Sequence, residues 1–194
     1  MNYIKAASEN SGEDLPRLLL HCCCAPCASH VLESLSSAYR ITALFFNPNI
    51  EPRDEYDRRA DEIKKLLSLA EYPSPVDLLI AEYETAPFRA VAEPYADEPE
   101  GGRRCAVCFY LRLGEAAIRA KAGGYDFFAT TLTVSPHKPA QKINDIGAGF
   151  AERFDVKYLQ SDFKKRDGYK RSVELSKKYG LYRQQYCCCR FSQV

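Results

Sequence analysis

Nine cysteines fall in three short stretches of this chain: Cys22, Cys23, Cys24 and Cys27; then Cys105 and Cys108; then Cys187, Cys188 and Cys189. None stands alone. Thiols used only as buried hydrophobes would scatter along the chain rather than gather into knots. The thiolate is both the nucleophile and the metal ligand, so the grouping points to redox or metal chemistry. Cys24-Ala-Pro-Cys27 has the gap of a thioredoxin-like pair, in which a helix N-terminus lowers a thiol pKa. Cys105-Ala-Val-Cys108 repeats the gap, which lets two thiolates reach one metal, and alone it would make half a zinc site. Four thiolates complete either a structural zinc or a 4Fe–4S cluster, and both leave thiols over. Zinc does not change oxidation state, so a redox cluster with a second metal or a dithiol beside it uses the inventory better. A zinc-stabilised module and a thiol–disulfide oxidoreductase stay open as alternatives.

The elements that must carry these thiols alternate. Strands are predicted at Arg17–His21, Arg40–Phe46, Val76–Ala81, Tyr125–Leu132 and Lys157–Leu159. Helices are predicted at Ala28–Tyr39, from Pro52 to about Ala70, at Cys108–Ala122 ended by Gly123-Gly124, at Pro139–Phe154, and at Tyr169–Tyr179 ended by Gly180. Such alternation predicts an α/β fold, a parallel sheet with helices on both faces, because each parallel crossover must return over the sheet. Ligands of such sheets bind beyond the carboxyl ends of the strands. That end of the first strand carries Cys22–Cys27. That end of the fourth carries Thr130, Thr131, Thr133, Ser135 and Lys138, so the two segments are expected to face each other across one cleft.

The 194 residues are enough for one domain with its own core, and 46% hydrophobic with 27% charged residues is a globular composition. We expect a flexible leader over residues 1–16 and a single domain over 17–194. No apolar stretch is long enough to span a bilayer, and Met1–Arg17 has no secretory pattern. With nine cysteines, this predicts a cytoplasmic protein whose thiols stay reduced. Residues 1–136 hold 14 Lys and Arg against 20 Asp and Glu, whereas residues 137–194 hold 13 against 6. A basic C-terminal segment on an acidic body points to a polyanionic partner there.

An ordered set of motifs then resembles a known family, the QueH-type epoxyqueuosine reductases, from about Arg17 to Ser192. It is carried by Leu20-His-Cys-Cys-Cys-Ala-Pro-Cys27, Phe45-Phe-Asn-Pro-Asn-Ile50 with Glu55-Tyr56, and Glu98-Pro-Glu-Gly-Gly102 leading to Arg104-Cys105-Ala-Val-Cys108. Leu111-Arg-Leu113, Thr130-Thr-Leu-Thr-Val-Ser-Pro-His-Lys138, Ser161-Asp-Phe-Lys-Lys165, Gly168-Tyr-Lys-Arg-Ser172 and Tyr182-Arg-Gln-Gln-Tyr-Cys187 complete it. The resemblance implies a HUP-type, PP-loop-like Rossmann fold of three layers. It implies a cobalamin-independent reductase that converts epoxyqueuosine to queuosine at the tRNA wobble position, the last step of that modification. Its cofactors would be a 4Fe–4S cluster and an additional mononuclear iron.

Carried over by position, the resemblance assigns Cys23, Cys24, Cys105 and Cys108 to the cluster. Cys27, Cys187 and Cys189 become ligands of the second iron or a redox pair. Cys22 and Cys188 are extra, and Cys188 stands where the family has Gly. Cysteines replace the Gly- and Ser-rich phosphate cradle of PP-loop enzymes, so no ATP is expected. The partners would be tRNA carrying epoxyqueuosine and an external electron donor. His21, His137 and Asp162 are candidate acids, with packing the stronger expectation for His21. His137, Lys138, Lys164, Lys165, Arg166, Lys170 and Arg171 are candidate RNA contacts, and Tyr179, Tyr182 and Tyr186 candidate stacking platforms.

Overall fold

The computed structural model describes residues 15–187 and 189–192. Most of the expected leader, and Cys188, lie outside the described residues. Five parallel strands, β1 (Arg17–His21), β2 (Arg40–Phe45), β3 (Val76–Ile80), β4 (Phe127–Thr130) and β5 (Lys157–Tyr158), form one sheet in the order β3-β2-β1-β4-β5. The helices are α1 (Ala25–Leu35), α2 (Arg53–Leu69), α3 (Ala86–Ala92), α4 (Arg103–Ala122), α5 (Ala140–Phe154) and α6 (Gly168–Lys178).

Strands buried on both faces read as continuous apolar runs, and successive side chains go to opposite layers. Leu18 and Leu20 of β1 pack with Ile41, Ala43, Phe45 and Ala129 in the core under α1 and α2. Leu19, Leu44 and Phe128 pack with Leu113 and Ala116 of α4 and Ile143 and Phe150 of α5 on the other face. The α/β architecture of three layers is therefore as expected. Among the described residues, no helix is long and apolar enough to cross a membrane.

The chain leaves β1 toward β2 on one side, while β4 pairs with β1 on the other, so the strand order reverses between β1 and β4. Crevices at such switch points, outside the carboxyl ends of the strands, are where open α/β sheets bind ligands. The first cysteine cluster follows β1 at that point.

Several predicted boundaries move. Helix α1 begins at Ala25 and ends at Leu35, because Pro26 in its first turn needs no intrahelical N–H partner, so Cys27 lies inside the helix. Helix α4 begins at Arg103 rather than Cys108, after Gly102 as N-cap, which puts Cys105 and Cys108 three apart on one helical face. Strand β4 stops at Thr130, whose side-chain oxygen accepts the Leu132 N–H and turns Thr131–Val134 into a 3₁₀ segment. Helix α3 was not predicted at all. It has only seven residues and carries two inward side chains, Phe88 and Ala92, too few for a visible periodicity.

Candidate functional site

The alternation of β1 carries past its end, as far as Cys22 and Cys23, and the entry into α1 then brings Cys24 to the side of Cys23. Cys22 falls into the α1–α2 core, whereas Cys23 and Cys24 fall on the α4–α5 side. The Cys22 thiol donates to the Leu20 carbonyl at 3.4 Å, and burial, then the neighbouring Cys23 and Cys24, push its pKa well up. It is a protonated core group. The sulfurs of Cys23, Cys24 and Cys27 all lie within 4.8 Å of one another, with Cys23 and Cys24 Sγ 3.7 Å apart. Among the described residues this is the one group of three side chains spaced to hold a metal ion. Hydrogen bonding to Cys23 and then Cys24, followed by burial, pushes the Cys27 thiol well above its ordinary value. Three thiolates this close would repel one another, and a cation among them would offset that repulsion.

The end of β4 braces this knot. Thr131 Oγ1 accepts the Cys23 N–H at 3.4 Å and lies 3.7 Å from Cys23 Sγ, so the two strand ends do face each other. His21, fully buried, sits beneath. Its Nδ1 is 2.9 Å from Thr130 Oγ1 and its Nε2 3.1 Å from the Phe46 carbonyl. A carbonyl only accepts, so Nε2 carries the proton and Nδ1 accepts from the threonine. Burial first, and then the nearby Arg112 guanidinium, lower the His21 pKa to about 4. His21 is thus a neutral packed residue, as the stronger expectation had it.

A cavity of 680 Å³ opens above the knot, lined by Cys23, Cys24, Cys27, Ser135, His137, Tyr169 and Cys187, among others. A narrower cavity adjoins it, lined by Cys105, Cys108, Cys187 and Cys189. Glu100, Arg112, His137, Lys138 and Cys187 stand in the walls of both. All seven predicted metal or thiol positions therefore line one or other of two adjoining cavities, and none of the seven is in a disulfide. Cys105 Sγ accepts the Gly101 N–H at 3.2 Å. Cys108 and Cys189 are buried together against Phe88 and Ala92, which is what α3 contributes to the site.

The remaining candidates divide. His137 and Lys138 reach both cavities. Asp162 does not line either of them. It stands in a neighbouring groove with Lys164 and Lys165, paired to them at 2.8 and 3.4 Å. His137, Lys138 and Pro139 line that groove too, so it runs on from the thiol cavities. Arg166 and Lys170 are exposed. Arg171 is committed to Glu33 at 2.7 Å and Glu174 at 3.3 Å, and hydrogen bonding to Glu33 raises its pKa.

Of the tyrosines, Tyr179 packs on the α1–α2 core, and Tyr182 is held under Arg58, whose guanidinium lies 3.5 Å from its ring centroid. Tyr186 reaches the larger cavity. The exposed ring on that rim is Tyr169, which the sequence reading passed over as part of an amphipathic helix. Gly168 lets α6 start there. A Cβ on it would run into the Phe163 carbonyl and lie 2.6 Å from His30 Nε2. Arg112, part of the Leu111-Arg-Leu113 motif, received no role from the sequence, since an arginine inside a helical run reads as solvent-facing; it is 2% exposed.

Comparison with known proteins agrees with the motif resemblance. The family described as epoxyqueuosine reductase QueH matches residues 18–194. Among curated proteins, the epoxyqueuosine reductase QueH of Streptococcus pyogenes serotype M1 is 45% identical over 179 residues, covering 91% of this chain and 70% of that protein. That of Staphylococcus epidermidis is 43% identical over 190 residues, covering 96% and 79%. That of Thermotoga maritima is 35% identical over 178 residues, covering 90% and 89%.

Proposed function

This chain belongs to the epoxyqueuosine reductase QueH family, and on that premise we propose that it reduces the epoxide of epoxyqueuosine in tRNA to queuosine at an iron–sulfur centre. The observation that carries the reading is the convergence of seven thiols from three distant segments on two adjoining cavities at the sheet's switch point. The donor set suits iron, since thiolates are the ligands of such clusters, and the Cys23–Cys24–Cys27 knot is tight enough to need a cation when deprotonated. In this reading Cys23, Cys24, Cys105 and Cys108 hold a 4Fe–4S cluster. Cys27, Cys187 and Cys189 hold a second iron or form a redox pair. Bound there, the iron centre would supply electrons and a Lewis-acidic pull on the epoxide oxygen.

The overall change is epoxide plus two electrons plus two protons to alkene plus water, the electrons coming from an external reductant. The chain supplies the rest. His137 lines both cavities, which supports it as the group that would give a proton to the departing oxygen. His21 is closed off by its two hydrogen bonds, and Asp162 by its lysines. Tyr169 and Tyr186 at the larger cavity supply faces for unstacked bases. Lys138, Lys164 and Lys165 line the open groove beyond and, with the exposed Arg166 and Lys170, would track phosphates. Cysteines where PP-loop enzymes keep a phosphate cradle support a reaction without ATP. Cobalamin independence and a cytoplasmic setting complete the proposal.

Anaerobic purification with an absorbance spectrum and iron, sulfide and zinc analysis tests it, together with turnover on tRNA bearing epoxyqueuosine. We expect a brown protein with iron and sulfide, and Cys105→Ala should lose both colour and turnover. An active but colourless Cys105→Ala enzyme refutes the mechanism. Zinc alone without turnover would favour an RNA-binding module, and turnover without metal a thiol–disulfide enzyme.

A further inference from the structure

Arg112 sits on α4 one turn after Cys108, 2% exposed, with its Nε donating to the Cys108 carbonyl at 3.3 Å. It stands in the walls of both thiol cavities. A guanidinium cannot give up its proton in a protein, and burying it is costly unless negative charge lies near. The chemistry in front of it supplies that charge. Thiolates that bind a metal are anions, a four-iron cluster with four thiolates remains an anion, and each electron taken up adds one more negative charge. We propose that Arg112 is a positioning residue that acts through the metal centre, a fixed buried cation that favours its reduced state and so raises its reduction potential. Net charge around the sulfurs is one of the levers by which proteins set such potentials.

The position favours this role over a purely structural one. Arg104, buried two turns earlier on the same helix, donates to the Ala96 carbonyl at 2.5 Å and also to the Glu98 carbonyl, tying down the loop before α4. Arg112 lines both cavities, where thiols of all three cysteine segments stand.

The inference rests on the reading that these thiols hold an iron–sulfur centre, and the test separates the two. The full chain, Arg112→Lys and Arg112→Met are reconstituted anaerobically. Iron and sulfide are assayed, folding is checked by circular dichroism, and midpoint potentials are measured by dye-mediated titration with dithionite. A wild-type chain that takes up no iron and sulfide ends the reading itself. If wild type is loaded, we expect Arg112→Lys to titrate close to it and Arg112→Met to titrate at a clearly lower potential. A folded Arg112→Met that cannot retain iron, beside an Arg112→Lys that can, also supports the compensating charge. Equal loading with an unshifted potential in Arg112→Met overturns the proposal. So does an Arg112→Lys as impaired as Arg112→Met, or a loss of fold in both, because shape rather than charge would then be at issue.

Discussion

The third cysteine cluster hangs from a strap, Leu181–Tyr186, and helix α2 holds that strap through a buried ion pair whose removal has a calculable cost. Arg59 is 1% exposed and Glu55 10% exposed, and they meet at 2.6 Å. Glu55 also accepts the Tyr182 hydroxyl at 3.3 Å, Glu62 accepts the Tyr182 N–H at 2.7 Å, and the Arg59 guanidinium lies 5.4 Å from the Tyr186 ring centroid. Replacing Glu55 by Gln keeps the shape but leaves the guanidinium buried without its counter-charge, a change that costs about 3 kcal/mol at the low end for broken buried pairs. With a urea slope of about 2 kcal/mol per molar, the unfolding midpoint should fall by about 1.5 M. Arg59→Met alone leaves the carboxylate near the rim, where water reaches it, and should cost less. The double variant should lose less than the two singles together by at least about 1 kcal/mol, since no charge is then left stranded. Because the strap leads into Cys187, Glu55→Gln should also give up iron to a chelator faster than wild type. Urea unfolding of the four proteins followed by circular dichroism reads the cycle. A Glu55→Gln midpoint unchanged from wild type, or strict additivity in the double variant, would refute the claim that this pair clamps the strap.

Other outcomes follow from single positions. Cys22→Ala should cost about 1–2 kcal/mol of stability as a small core cavity yet keep full iron content, whereas Cys23→Ala should lose iron; equal loss in both would sink the sorting of thiols by strand parity. Tyr169→Ala should raise KM for tRNA by about fivefold, the low end of what base–aromatic stacking supplies, with Tyr169→Phe unaffected. An unmoved KM in Tyr169→Ala removes the ring from the substrate path. His30 has its pKa lowered from 6.5, chiefly by burial, so the unfolded chain binds its proton first as pH falls. The stability due to its neutral form is complete above pH 6.5 and declines below it. An imidazole NMR titration that places His30 above 6.5 would contradict this.

What could be read from the sequence, and what could not, divides along physical lines. The strands were legible because burial on both faces leaves runs such as Leu18-Leu19-Leu20 with nothing polar in them. The cysteine knots were legible because a reduced thiol has few reasons to cluster other than chemistry, and the rule that sites lie beyond strand ends set the first cysteine segment against the segment after β4, where Thr131 meets Cys23. Helix α3 was not legible, since seven residues cannot show a period. The start of α4 was misplaced because Arg103 and Arg104 carry the charge of a loop, and only the fold shows Arg104 buried against carbonyls. The same blindness hid Arg112 and Arg59. Pattern reading assigns charge to solvent because burying it is costly, so it fails wherever a fold accepts that cost for a partner elsewhere in the chain. Both of these arginines sit beside the thiol cavities or the strap that feeds them. The residues a pattern is least able to place are therefore the ones through which this scaffold can set the charge and position of its sulfurs.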